Sequence, residues 1–203
     1  NEVGLACADY IAYFAEEPSV KVIFCYVETV KDPERFKAAC ALAQKAGKPV
    51  IVFKLGASEE GRATAVTHTG ALAGSAEVFD AVTGELGVIR VGTLDEAIEA
   101  IELVVHMGVP VGRRLGALTL SGAYRGILLD GAVGTNFTFP KLAAETEAKL
   151  APILSVGSSV GNPADGGFSV LTSVEAYIAS IAAMADDPSI DVLILQAELP
   201  REE

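Results

Sequence analysis

Twice in this sequence a short β-branched run leads through a glycine-rich loop into a segment of helical spacing, and that order of parts leaves few folds open. The first instance is Lys48-Pro49-Val50-Ile51-Val52-Phe53-Lys54, then GASEEGRATAVTHTGALAG at 56–74, then helical spacing over 76–86. The second is a strand over 115–120, the turn Ser121-Gly122-Ala123-Tyr124-Arg125-Gly126, and a helix starting over 127–133. A strand that passes straight into a helix returns to its sheet by a crossover, so its neighbours run parallel and helices cover the faces. The expected class is α/β, with open, mostly parallel, doubly wound sheets.

The remaining segments keep the alternation. Residues 5–17 place Ala8, Ile11, Ala12 and Ala15 on one helical face, and a strand over 20–27 follows with Glu28 at its end. Asp32-Pro33 reads as an N-cap with proline at the first helical position; Phe36, Ala39, Cys40 and Ala43 form the apolar face and Gly47 the stop. A short strand at 88–91 precedes a helix capped by Thr93 with Glu96 three residues on, carrying Ile98, Ile101 and Val105, and His106 closes it where a cation suits the dipole. Gly108-Val109-Pro110-Val111-Gly112-Arg113-Arg114 interrupts the pattern, so the boundary is placed there, giving domains 1–108 and 109–203 with the paired arginines on the linker surface. In the second domain come a helix with Thr146, Leu150 and Ile153, a glycine-rich loop over 155–167, a helix over 173–184 and a last strand over 190–196. The loop is too long for a plain connection and reads as functional.

Composition removes several classes of function. A hydrophobic fraction of 51% and a mean hydropathy of +0.41 would suit a membrane, yet no window of 18 residues is free of charge or glycine, so the surplus is assigned to strands covered on both faces. A net charge of −12 repels a polyphosphate backbone, which excludes nucleic acid as a partner and requires any anionic ligand to be held by a local site. Cys7, Cys25 and Cys40 lie in or beside apolar runs with no metal or disulfide spacing and no basic neighbour, so they are read as core residues of a reduced, cytoplasmic protein. The chain starts at Asn1-Glu2 without methionine and ends just after a strand, which reads as a piece of something longer.

His68 lies between glycines and hydroxyls on a strand-to-helix loop, at the sheet edge where a helix offers free N–H groups to an anion. Spacing leaves two roles open, a phosphate-handling imidazole and a surface histidine capping the helix. Lys54, at the end of the preceding strand, is read as solvated, with neutralisation of a phosphate as its other role.

Gly61-Arg62 followed by Thr67-His68-Thr69-Gly70-Ala71-Leu72-Ala73-Gly74-Ser75 resembles the phosphohistidine loop of the NDP-forming acyl-CoA synthetases, the family of succinyl-CoA synthetase and ADP-forming acetyl-CoA synthetase. Asn1-Glu2, Tyr26-Val27-Glu28, Lys54 and Gly161-Asn162-Pro163-Ala164-Asp165 are similar to further pieces of the family pattern, while Ser121-Gly122-Ala123 and Gly166-Gly167 depart from it. The resemblance implies two flavodoxin-like domains from the middle of a multidomain ligase. It implies His68 as the nucleophile that relays phosphate, and Glu28 as the carboxylate that orients it. Gly70 and Ala71, with Ser121, Gly122 and Ala123 of a second helix start, are implied as phosphate-binding. CoA, ATP or ADP and magnesium are then substrates of the whole protein, not permanently bound cofactors. A small carboxylic acid, a CoA-binding Rossmann domain, an ATP-grasp domain and an oligomeric assembly are the implied partners, with no metal site in this stretch. The competing reading is a catalytically silent binding or regulatory module of a fused protein.

Overall fold

A computed structural model of the chain describes residues 4–56, 58–61, 76–154 and 157–197, apart from the side chains of residues 76 and 77. The chain divides into two units, Asn1–Val109 and Pro110–Glu203.

In the first unit, α1 (Cys7–Glu16) and α2 (Pro33–Lys45) lie on one face of a parallel sheet of order β1 (Ile23–Val27), β2 (Val50–Lys54), β3 (Ile89–Val91). Helix α2 starts as its sequence dictates: the Asp32 carboxylate accepts from Arg35 N at 3.0 Å, and Pro33 occupies the first turn. It ends at Gly47, whose φ of 70° suits glycine. Its buried residues are Phe36, Ala39, Cys40 and Ala43, packed with Ile11 of α1 and with Ile23, Cys25, Val50 and Val52 of the sheet. The opposite face is covered by α4 (Leu94–Met107), which packs on β2 and β3, and α3 (Ala76–Glu85) precedes β3.

Because α4 reaches β2 and β3, the side chains that β1 turns to that face are left open. Phe24 and Tyr26 are 39% and 55% exposed, against the expectation of strands covered on both faces. Ile98 is likewise exposed, and α4 buries Ala97 and Val104 instead. Thr93 does cap α4, accepting from Glu96 N at 3.1 Å, while the Glu96 carboxylate reaches back to Gly92 N, one residue before the capping threonine.

In the second unit, β4 (Leu115–Thr119) is the central strand of a second parallel sheet, between β5 (Ala164–Asp165) and β6 (Val192–Leu195). Helices α5 (Gly122–Ala132), α6 (Ala144–Leu150), α7 (Gly167–Thr172) and α8 (Val174–Ala185) surround a core of Leu118, Leu142, Leu150, Leu154, Ala164, Val170 and Met184. Arg113 and Arg114 are exposed, as a surface position requires, but Arg114 also has a fixed partner. Its guanidinium pairs with Asp191 and donates to Pro188 O at 3.0 Å, while its own N–H and that of Arg113 donate to Asp191 Oδ2. The pair ties the start of β4 to the start of β6.

Asp187 is 3% exposed. Burial by itself would raise its carboxyl, but hydrogen bonds from Ser189, Thr146 and Ala143 N outweigh it and hold the group at about 2. A carboxyl depressed below its unfolded value contributes stability that is complete above the ordinary carboxylate range and lost as pH falls through the folded value. Asp187→Asn is therefore expected to lower the urea midpoint most above about pH 5 and to converge with the parent near pH 2. Parallel curves across that window would remove Asp187 from the acid response.

Candidate functional site

Two clusters occupy the carboxyl ends of the two sheets, the edge at which open α/β sheets bind ligands. In the first unit, Glu28 immediately follows β1 and is partly buried. Val27 lies opposite Lys54 in the sheet, and Leu55 N donates to Val27 O at 2.8 Å, so Glu28 and Lys54 belong to one edge. Lys54 is not the solvated lysine its strand-end position suggested. It is 5% exposed, Nζ donates to Leu55 O at 2.5 Å, and it lies 6.0 Å from the centre of the Phe79 ring. A signal for this burial was present: residues 50, 52 and 54 share a face of β2, and that face is the one α1 and α2 cover.

Beside Lys54 is a cavity of about 240 Å³, lined by Val30 and Pro33 before and within α2, Phe36 of α2, and Val78, Phe79 and Val82 of α3. The Phe36 and Phe79 rings are 6.2 Å apart and tilted. Thr83, fully buried at its floor, donates its hydroxyl to Phe79 O at 2.8 Å, within its own helix. Past β2, Gly61 N donates to Ser58 Oγ at 3.0 Å. His68, Gly70 and Ala71 lie outside the described residues.

In the second unit, Ser121 caps α5, its hydroxyl accepting from Ala123 N at 3.3 Å while its carbonyl accepts from Tyr124 N and Arg125 N. Ser121, Gly122 and Ala123 thus form a helix start at the end of β4, the local geometry an anion uses. The sequence did not disclose what stands beside them. Asp165, opposite Thr119 in the sheet, brings Oδ2 within 3.2 Å of the place a Cβ on Gly122 would take, and its other oxygen accepts from Gly167 N at 3.0 Å. Glycine at 122 is what lets the carboxylate come so near the helix start. One turn along, Arg125 donates to Ser159 Oγ at 2.7 Å and so ties the helix to the 157–167 loop.

That loop is more structured than its glycines imply. It contains a cis Asn162-Pro163 bond and the strand β5. The Asn162 carboxamide donates to Leu115 O at 2.7 Å and to Pro140 O at 2.9 Å, and accepts from Ala117 N at 3.1 Å.

The three cysteines are free thiols. A hydrogen bond with Cys7, burial, and the proximity of Cys7 and Cys40 all push the Cys25 thiol up; burial and then Cys7 raise Cys40 to about 12. Both stay protonated at neutral pH and have no nucleophilic use there. Among the described residues, no group of three or more His, Cys, Asp or Glu could hold a metal ion, and no helix is long and apolar enough to cross a membrane.

Comparison with known proteins adds three kinds of likeness. The family model described as "Succinyl-CoA ligase like flavodoxin domain" matches residues 1–104. An ADP-forming acetate–CoA ligase of Methanocaldococcus jannaschii is 30% identical over 165 residues, covering 81% of this chain and 23% of that protein. A trans-feruloyl-CoA synthase from an unknown prokaryotic organism is 30% identical over 194 residues, covering 96% of this chain and 27% of that protein. The chain therefore spans about a quarter of the length of these curated relatives. In fold it is similar to the dinucleotide-forming acetyl-coenzyme A synthetase 1 of Ca. Korarchaeum cryptofilum, solved with phosphate and ADP, with a TM-score of 0.83 at 22% identity over 94% of this chain and 41% of that one.

Proposed function

Because the chain belongs to the succinyl-CoA ligase-like flavodoxin family, we propose that it is the central part of an NDP-forming acyl-CoA synthetase, an acid–thiol ligase, and that both units are flavodoxin-like domains of that enzyme. The observation that carries the reading is that the matched span, residues 1–104, holds both Glu28 and the Thr67-to-Ser75 loop.

In the synthetic direction a neutral His68 ring nitrogen attacks the γ-phosphorus of a nucleoside triphosphate, the diphosphate leaves, and a phosphohistidine forms. The carboxylate of the acid then attacks that phosphorus, freeing the imidazole and giving an acyl phosphate. The CoA thiol displaces phosphate from the acyl carbon and loses its proton. Glu28 accepts a hydrogen bond from the ring nitrogen that does not react, which fixes the tautomer and stabilises the cation formed in transfer. Gly70 and Ala71 let backbone N–H groups approach the phosphate, and Ser121, Gly122 and Ala123 supply a second helix start. CoA, the nucleotide and magnesium are handled by a CoA-binding Rossmann domain and an ATP-grasp domain, in the same chain or a partner subunit, within a cytoplasmic oligomer.

The test is a covalent one. Incubating the intact protein with γ-labelled ATP and magnesium is expected to place an acid-labile, base-stable phosphate on His68, and phosphate mapped to another residue, or none at all, overturns the reading.

A further inference from the structure

We propose that the open edge and face of β1 are covered by a strand–helix–strand segment of the same polypeptide that precedes Asn1, its first strand parallel to β1 and its helix over Phe24 and Tyr26. The assignment goes beyond the ligase reading and does not rest on it.

The main chain of β1 defines the edge. Ile23 N donates to Pro49 O at 2.9 Å and Val27 O accepts from Leu55 N, so the odd-numbered residues of the strand turn their peptide groups to β2. Those of Phe24 and Tyr26 point the other way, and among the described residues no strand lies there.

The residues at that edge suit pairing. An edge that stays unpaired is usually blunted by charge, proline, a bulge or shortness. Strand β3, at the other side of the sheet, has three residues and carries Arg90, whose guanidinium donates to Asp80 Oδ1 at 2.6 Å and to Val52 O at 3.0 Å. Strand β1 runs for five residues, Ile23-Phe24-Cys25-Tyr26-Val27, with no charge, proline or glycine among them. Its Phe24 and Tyr26 side chains are exposed, and the Tyr26 ring lies 5.4 Å from that of Phe53, at the margin of what α4 covers.

Handedness says where the missing strands run. Helices α2 and α3 link β1 to β2 and β2 to β3, and Phe36 and Phe79 place both on the face formed by Ile23, Cys25, Val50 and Val52. Helix α1 lies on that face too. Crossovers between parallel strands are right-handed, so a crossover over this face advances in the direction from β1 to β2. A parallel strand that feeds α1 therefore stands on the open side of β1. Were it the direct neighbour of β1, Phe24 and Tyr26 would stay bare. A neighbour that leaves outward does better, because an outward right-handed crossover carries its helix over the opposite face, where these two rings are. A second strand beyond it then returns through α1.

Such a unit takes on the order of 30 residues or more, and the chain spans only 23% and 27% of two curated relatives. A second copy fits less well. Two-fold pairing through β1 would set the strands antiparallel, leave α1 without a strand to feed it and bring no helix to Phe24.

Residue-resolved hydrogen exchange of the intact protein tests the edge, and a photo-cross-linker tests its occupant. The Phe24 and Tyr26 amides are expected to exchange about 100-fold or more below the unstructured rate, alongside that of Cys25, which faces β2. With p-benzoylphenylalanine at position 24, irradiation should join residues that precede Asn1 in the same polypeptide. Should that protein fail to fold, nuclear Overhauser contacts of the Tyr26 ring in the parent make the same assignment. Free exchange at Phe24 and Tyr26 overturns the proposal. So does an adduct or contact confined to residues 1–203, to residues after Glu203 or to a second copy. Neither result touches the ligase reading, which is decided by phosphate on His68.

Discussion

His68→Asn in the intact protein is expected to abolish both the acid-labile phosphate label and acyl-CoA formation, a loss of roughly 10,000-fold or more, the scale on which removal of a nucleophile acts. Asparagine keeps a polar group of similar size in the loop but has no ring nitrogen that can attack phosphorus, so the loss is chemical and the fold is kept. Glu28→Gln separates orientation from reaction. It retains the shape at the end of β1 and an oxygen acceptor, and removes the negative charge that stabilises the imidazolium-like product of transfer. Its expected effect is a fall of roughly 100- to 10,000-fold in labelling rate, with a label still formed at long times. Measured together, the two rates discriminate sharply. Full acyl-CoA synthesis by His68→Asn would leave the chain as a binding or regulatory module, and a Glu28→Gln protein labelled at the parental rate would reduce Glu28 to a strand-end acid.

Asn162→Ala is expected to cost the second unit about 2–4 kcal/mol of stability, read as a lower urea midpoint with unchanged slope. The physical reason is the company its carboxamide keeps. Leu115 O, Ala117 N and Pro140 O are main-chain groups in or beside the core, and Asn162 satisfies all three. Deleting the carboxamide leaves them without it in a place where each orphan costs about 1–3 kcal/mol, part of which water recovers because the site is not sealed. Asn162→Asp is the sharper control. It keeps an acceptor for Ala117 N but offers no N–H to the two carbonyls and sets a negative charge against them, so it should cost at least as much as alanine at neutral pH. A variant that unfolds with the parent would show that the three bonds contribute nothing net.

The parts of the fold that were legible in the sequence are those set by a few adjacent residues. Asp32-Pro33 and Thr93 name their caps because capping depends on a side chain and an N–H three residues away. The apolar runs name their strands, and 50–53 reads as buried because it is apolar on both parities. What was not legible depends on partners distant in sequence. Phe24, Tyr26 and Ile98 look like core residues until the reach of α4 is known. Helix α7 is six residues long and opens on glycine, too short for a period to show. Arg114 gives no local hint that its partner is Asp191, 77 positions on. At the candidate site the same division holds. Ser121 to Gly126 read as a turn before a helix starting over 127–133, whereas α5 already begins at Gly122, and the approach of Asp165 to Gly122 is a matter of which strands are neighbours. The segment that carries His68 lies outside the described residues, and the catalytic reading there stands on the resemblance of Thr67 to Ser75 to the family's phosphohistidine loop.

The Asn162 carboxamide also sets a phase. Strand β5 has only two residues, Ala164 and Asp165, paired with Leu118 and Thr119, and so short a ladder specifies its own register weakly. By gripping Leu115 and Ala117, the side chain two positions earlier fixes where the ladder begins. A slip by one residue would turn Ala164, fully buried, outward and drive the Asp165 carboxylate into the hydrocarbon interior. A single amide thus serves as a ruler, and the carboxylate beside the α5 helix start stands where it does because the measurement is taken three residues away.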